Sequence, residues 1–121
     1  MQTSFVAETN EQSYEVAKPA VEWYAQSVRS VHKPEGIESW PVELQQLLRD
    51  QIERDRVYEH YDAYWKAFIH GDPARAKERV QHLKDAGFDN VIVGFSFGGL
   101  PYEKVRTSMR LFAEKIIPNF K

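Results

Sequence analysis

At 121 residues the chain is too short to close a (β/α)8 barrel, which takes about 250, yet long enough for one domain spanning 1–121 with its own core. Its 42% hydrophobic, 13% aromatic and 28% charged residues exclude a disordered or membrane-embedded chain, and the absence of cysteine excludes disulfides and thiolate chemistry. A net charge of −2, with 16 Lys and Arg scattered among 18 Asp and Glu, leaves no basic face for nucleic acid.

In chain order, Thr3 to Glu8 leans to β structure and hands over at Thr9. There a threonine followed three residues later by Gln12 forms a capping-box signature. Tyr14, Ala17, Val21, Tyr24, Ala25 and Val28 then recur at helical spacing as far as about Ser30, with Pro19 expected to kink or split the helix. Residues 32–41, punctuated by Pro34, Gly36 and Pro41, read as a loop in which Ile37 and Trp40 anchor against the core. From Val42 to about Lys66, Leu44, Leu47, Leu48, Ile52, Val57, Tyr61, Tyr64 and Trp65 keep close to helical period. That stretch reads as one long or two abutting helices inserted between strands.

A very short strand at Ala67–His70 ends at Gly71-Asp72-Pro73, where aspartate suits an N-cap and proline the first helical position. The helix over 73–86 presents Ala76, Val80, Leu83 and Ala86, and Gly87 suits a left-handed C-terminal cap. A strand over Asn90–Phe97 follows. Pro101 opens a last helix with the face Val105, Met109, Phe112 and Ile116, stopped by Pro118. Alternation of this kind predicts an α/β fold with parallel strands.

In parallel α/β architectures reactive groups gather at the C-terminal ends of strands, here Glu8 and Thr9, His70 and Asp72, and Gly94 to Gly99. Thr9 and Asp72 read as helix caps, and Glu8 as a strand-end carboxylate open to solvent. His70 is either an acid–base or flavin-lining group or a hydrogen-bonded structural histidine. His32, His60 and His82 show no paired spacing that would hold zinc. Gly98-Gly99 before a helix suits an anion cradle or, more simply, a sharp turn with positive φ. Phe95 and Phe97, alternating with Ser96, suit either a flavin wall or core packing.

Gly94-Phe95-Ser96-Phe97-Gly98-Gly99-Leu100-Pro101, with Val105, Ser108, Phe112-Ala113 and Pro118 downstream, resembles the C-terminal end of luciferase-like flavin-dependent monooxygenases. The likeness runs from Gly71 to Phe120 and more loosely over Phe5-Val6-Ala7-Glu8-Thr9. Residues 12–66 match in helical character alone. The resemblance implies the last three βα units of a (β/α)8 TIM barrel, with a helical insertion after the first strand. It also implies an oxidoreductase using reduced FMN, or F420 in related branches, with O2 on a small organic substrate.

By the same resemblance Phe95, Ser96, Phe97, Gly98 and Gly99 border the flavin, and no catalytic residue carries over, because the family's early strands have no counterpart. A second polypeptide supplying those strands and a flavin reductase are the implied partners. The alternative expectation is a non-catalytic α/β binding module that covers its sheet edges as a homo-oligomer. The longest apolar run, Val91–Leu100, falls short of the roughly 20 residues of a bilayer span, and the N-terminus carries no leader pattern, so a cytoplasmic location is expected.

Overall fold

The computed structural model describes residues 2–32, 37–55 and 61–120. Pro34, Gly36, Val57 and His60, and the side chains of Val28, His32 and Ile52, lie outside that description. Among the described residues the fold is α/β, with a small parallel sheet flanked by helices. Strand β1 (Gln2–Val6) leads into α1 (Asn10–His32), and α2 (Val42–Asp55) and α3 (Tyr61–Ala67) precede β2 (Ile69–Gly71). Helix α4 (Pro73–Asp85), strand β3 (Val93–Gly94) and α5 (Tyr102–Leu111) complete the order. No described helix is long and apolar enough to cross a membrane.

Strand order is β2-β1-β3, all parallel, with Ser4, Phe5 and Val6 opposite Ile69, His70 and Gly71, and Gln2 and Thr3 opposite Val93 and Gly94. A barrel lays its strands side by side in chain order, which would put β2 in the centre. Here the first strand is central, so the chain from β2 to β3 passes across it.

Successive side chains of a strand face opposite sides, and the two cores follow that rule. Phe5 joins Ala17, Ala20 and Val21 of α1, Tyr61 and Tyr64 of α3, and Phe97 on one face. Val6 and Ile69 join Ala76 of α4, Leu111 of α5, Phe112 and Ile116 on the other. The sheet is thus covered by α1 and α3 on one side and by α4 and α5 on the other. Each fully buried aliphatic side chain in these cores contributes about 1.5–3 kcal/mol.

The caps are where the sequence puts them. Thr9 Oγ1 accepts the Gln12 N–H at 3.2 Å, and Asp72 Oδ1 accepts the Arg75 N–H at 2.8 Å. Gly87, at φ +88°, closes α4 through Gly87 N–H to Lys84 C=O and Phe88 N–H to Leu83 C=O, a Schellman pair. Ala86 is the exposed C-cap of α4 and adds nothing to its buried face.

Several expectations are corrected. Helix α1 runs to His32 and passes Pro19 without ending, because Pro19 and the Glu15 whose carbonyl it leaves unpaired both face solvent. Trp40 is 40% exposed rather than an anchor, and Leu47 on α2 is 57% exposed. Of the two arrangements expected over 42–66, the described residues show two helices: α2, where Leu44 and Leu47 are exposed and Leu48 is half-buried, and α3, whose Tyr61 and Tyr64 enter the core.

Strand β2 begins two residues later than expected, since Ala67 still belongs to α3. The expected strand over Asn90–Phe97 shrinks to Val93–Gly94, because beyond Gly94 the chain leaves β1 to reach the turn at Gly98-Gly99. Met109 is 50% exposed, and Ser108 and Leu111 take its place on the buried face of α5. After Leu111 the chain widens into a π-helical turn (Phe112–Ile116) and a 3-10 turn (Ile117–Asn119). Pro118 therefore sits inside the final turn rather than after it.

Candidate functional site

An open parallel sheet whose flanking helices change face generates a crevice at the C-terminal ends of the two strands where the change occurs. Here that point lies between β1, which feeds α1 on one face, and β3, which feeds α5 on the other. β3 pairs no further than Gly94 opposite Thr3, so a slot opens beside the upper half of β1. A cavity of about 310 Å³ occupies it. Phe5, Val6, Ala7, Val16 and Leu111 make its apolar floor, and Glu8, Gln12 and Glu15 rise on one side, opposite Lys104 and Thr107 on the other.

Two fully buried serines fix the walls. From α1, Ser13 Oγ donates to the Phe5 carbonyl at 2.6 Å and accepts the Gly71 N–H at 3.0 Å, joining β1 to β2. From α5, Ser108 Oγ accepts the Val6 N–H at 2.7 Å, on the side of β1 that β3 has left. A side chain thus stands where a backbone partner would otherwise be required. Replacing Ser108 with alanine strands a buried N–H, which costs about 1–3 kcal/mol. The expected result is a lowered urea midpoint, with the Val6 amide losing more hydrogen-exchange protection than the Phe5 amide.

The strand-end residues singled out from sequence are distributed as follows. Glu8 is exposed on the rim of the crevice. Thr9 caps α1; Asp72 caps α4, and Asn10 binds it twice, Nδ2 donating to Asp72 Oδ2 and Oδ1 accepting the Asp72 N–H. Gly94 lies opposite Thr3. Phe95 packs edge-on against Phe112 at 5.3 Å in one core, whereas Phe97 enters the other core, so the two rings do not form a common wall. Ser96 is exposed between them.

Gly98 and Gly99 have φ of +57° and +71°, and the Leu100 N–H returns to the Phe97 carbonyl at 3.1 Å. This is a tight turn with positive φ at both central positions. A Cβ on Gly98 would fall 1.9 Å from the carbonyl oxygen of Ala20, so Gly98 lies directly against the α1 backbone. Gly99 faces open space.

His70 is fully buried, with the rings of Tyr64, Trp65 and Phe97 within 5.5–5.8 Å of its own. Its Nε2 lies 3.4 Å from Thr3 Oγ1, which also hydrogen-bonds the Tyr64 hydroxyl, while Nδ1 has no partner. Burial, reinforced by the nearby Arg75 guanidinium, pushes the imidazole down to about 3. His70 is therefore neutral at physiological pH and faces the α1 and α3 core rather than the crevice.

Gln12, Glu15, Lys104 and Thr107 were not singled out from the sequence as site residues. Their signal is positional, Glu8, Gln12 and Glu15 at intervals of four and three and Lys104 and Thr107 at an interval of three. Only the strand order brings the two sets face to face. Neither a protein-family profile nor a curated protein sequence matches this chain.

Proposed function

We propose that this chain is the C-terminal portion of a luciferase-like flavin-dependent monooxygenase, completed by a second polypeptide that supplies the early barrel strands. The reading draws on the resemblance over Gly71–Phe120 and on one observation, the short hold of β3 on the sheet. β3 meets β1 in two residue pairs, with the Gln2 N–H bonded to the Ile92 carbonyl at 2.8 Å just outside them. In a closed barrel the strand order would follow the chain, so β3 must leave β1 and take the free edge of β2. Few bonds oppose that exchange.

The Phe95–Gly99 segment would then stand at a strand end beside the incoming strands, where it would border reduced FMN or F420. The flavin supplies the reaction with O2; this chain's part is to bound the pocket and exclude water from it. A reductase would deliver the reduced flavin. The experiment joins the chain to a polypeptide carrying the missing strands and measures O2-dependent substrate oxidation with reduced FMN. Turnover by the assembled complex, with a changed chemical shift of the Gln2 amide as a strand of the second polypeptide replaces β3 beside it, is the expected result. An assembled but inert complex ends the proposal.

The second reading, a non-catalytic α/β module that self-associates, draws on the central placement of β1 and on the exposed Leu44 and Leu47 of α2. It requires a defined homo-oligomer without flavin in sedimentation velocity. A monomer at high concentration removes it, and Trp23, Trp40 and Trp65 report FMN binding independently.

A further inference from the structure

We infer that the crevice between α1 and α5 is a binding site for a small apolar zwitterion, an amino acid with a branched aliphatic side chain. The inference concerns the chain by itself, with β3 on β1, and uses neither the Phe95–Gly99 segment nor a second polypeptide. It starts from topology. The slot lies where the helices following β1 and β3 diverge to opposite faces of a parallel sheet, the place where open α/β sheets take their ligands.

The lining then selects the ligand. Phe5, Val6, Ala7, Val16 and Leu111 give an uncharged floor that favours a short hydrocarbon group. The walls carry opposite charge, Glu8 and Glu15 on one side and Lys104 on the other, each with a neutral hydrogen-bonding group beside it, Gln12 and Thr107 respectively. A ligand bearing one charge would leave the opposite wall unmatched. A ligand bearing both, separated by one carbon, meets Glu8 and Glu15 with its ammonium and Lys104 with its carboxylate.

A volume of about 310 Å³ lies at the lower end of ligand-site sizes, which suits a single amino acid rather than a peptide or dinucleotide.

The floor is also held in register by the sheet rather than by a loop. Val6 carries the Ser108 hydrogen bond, and Phe5 carries that from Ser13, so both floor residues are fixed from opposite helices before a ligand arrives. A site built this way gives up little ordering entropy on binding.

The test is a titration of the full chain with L-leucine, followed by the amide NMR signals of Val6, Ala7, Thr107 and Leu111. Saturable shifts are expected. Lys104→Met and Glu15→Gln, both at exposed positions, should each weaken binding by about tenfold, the loss of one charge-assisted contact. Isocaproate, which lacks the ammonium, should retain dependence on Lys104 and lose dependence on Glu15; isoamylamine should do the reverse. Val16→Trp, which fills the floor, should abolish the shifts while leaving the circular dichroism spectrum unchanged.

Absence of saturation at tens of millimolar leucine overturns the assignment. So does leucine binding that ignores both charge substitutions, and so does isoamylamine binding as tightly as leucine, which would make the crevice a cation site. If Val16→Trp unfolds the protein, the two charge variants decide the question alone.

Discussion

Replacing Gly98 with alanine is expected to destabilise the fold by about 3–5 kcal/mol, a large share of the roughly 5–15 kcal/mol an ordinary domain possesses. The added Cβ would lie 1.9 Å from the Ala20 carbonyl oxygen, 2.4 Å from its carbonyl carbon and 2.7 Å from its Cα. All three are backbone atoms inside α1, so the clash cannot be relieved by turning a side chain. Either the turn at Gly98-Gly99 or the helix must move, and Phe97 and Ala20 both belong to the core between them. Positive φ adds a conformational penalty of about 1 kcal/mol for any residue with a Cβ.

Gly99→Ala separates the two contributions. Gly99 also has positive φ but nothing within 4 Å of its Cβ position, so only the conformational term remains. Urea denaturation of the two variants should therefore give a small midpoint shift for Gly99→Ala and a several-fold larger one for Gly98→Ala. Equal shifts would show that the close approach to α1 is not what fixes this turn.

Acid is expected to destabilise the fold through His70. Its imidazole titrates at about 3 in the folded chain against 6.5 when exposed, so between these values the unfolded chain binds a proton that the folded chain does not. Stability contributed by the neutral ring is fully present above 6.5 and declines as pH falls towards 3, by about 1.4 kcal/mol per unit. By pH 4.5 the loss reaches about 2–3 kcal/mol. His70→Leu removes the titration while keeping an apolar group among Tyr64, Trp65 and Phe97. In stability curves the parent should lose about 2–3 kcal/mol relative to the His70→Leu protein on acidification from pH 6.5 to 4.5. Parallel curves would place the proton elsewhere.

The local chemistry of this fold is legible in the sequence because it depends on neighbours a few residues apart. Thr9 with Gln12, Asp72 with Pro73, and Gly87 each announce a helix boundary through caps that need no distant partner. The order of the strands is not legible, since periodicity gives an element's type and leaves its neighbour undetermined. Val91–Phe97 has the composition of a long strand, yet only Val93 and Gly94 find a ladder before the chain turns away to Gly98-Gly99, and Ser108 takes the next N–H of that edge.

The face of α5 shows the same limit. Helical spacing selects Met109, but the buried position goes to Ser108, whose hydroxyl is wanted by Val6. Leu44 and Leu47 have the spacing of a buried face and stay exposed because α2 lies against α1 alone among its larger contacts. The crevice was hidden for the corresponding reason. Glu8, Gln12 and Glu15 sit far in sequence from Lys104 and Thr107, and only knowledge that β1 separates β2 from β3 brings them together.

That central position of β1 also governs when the molecule can form. Its two pairing partners are made late: the one on the β3 side lies roughly 90 residues downstream, a separation that slows folding because the intervening loop must close first. On the ribosome the opening segment would emerge early and wait, its hydrogen-bonding groups satisfied by water, until β2 and then β3 are synthesised. Nascent chains stalled before residue 93 should accordingly remain protease-sensitive near their start, with resistance appearing only once the last helix clears the exit tunnel.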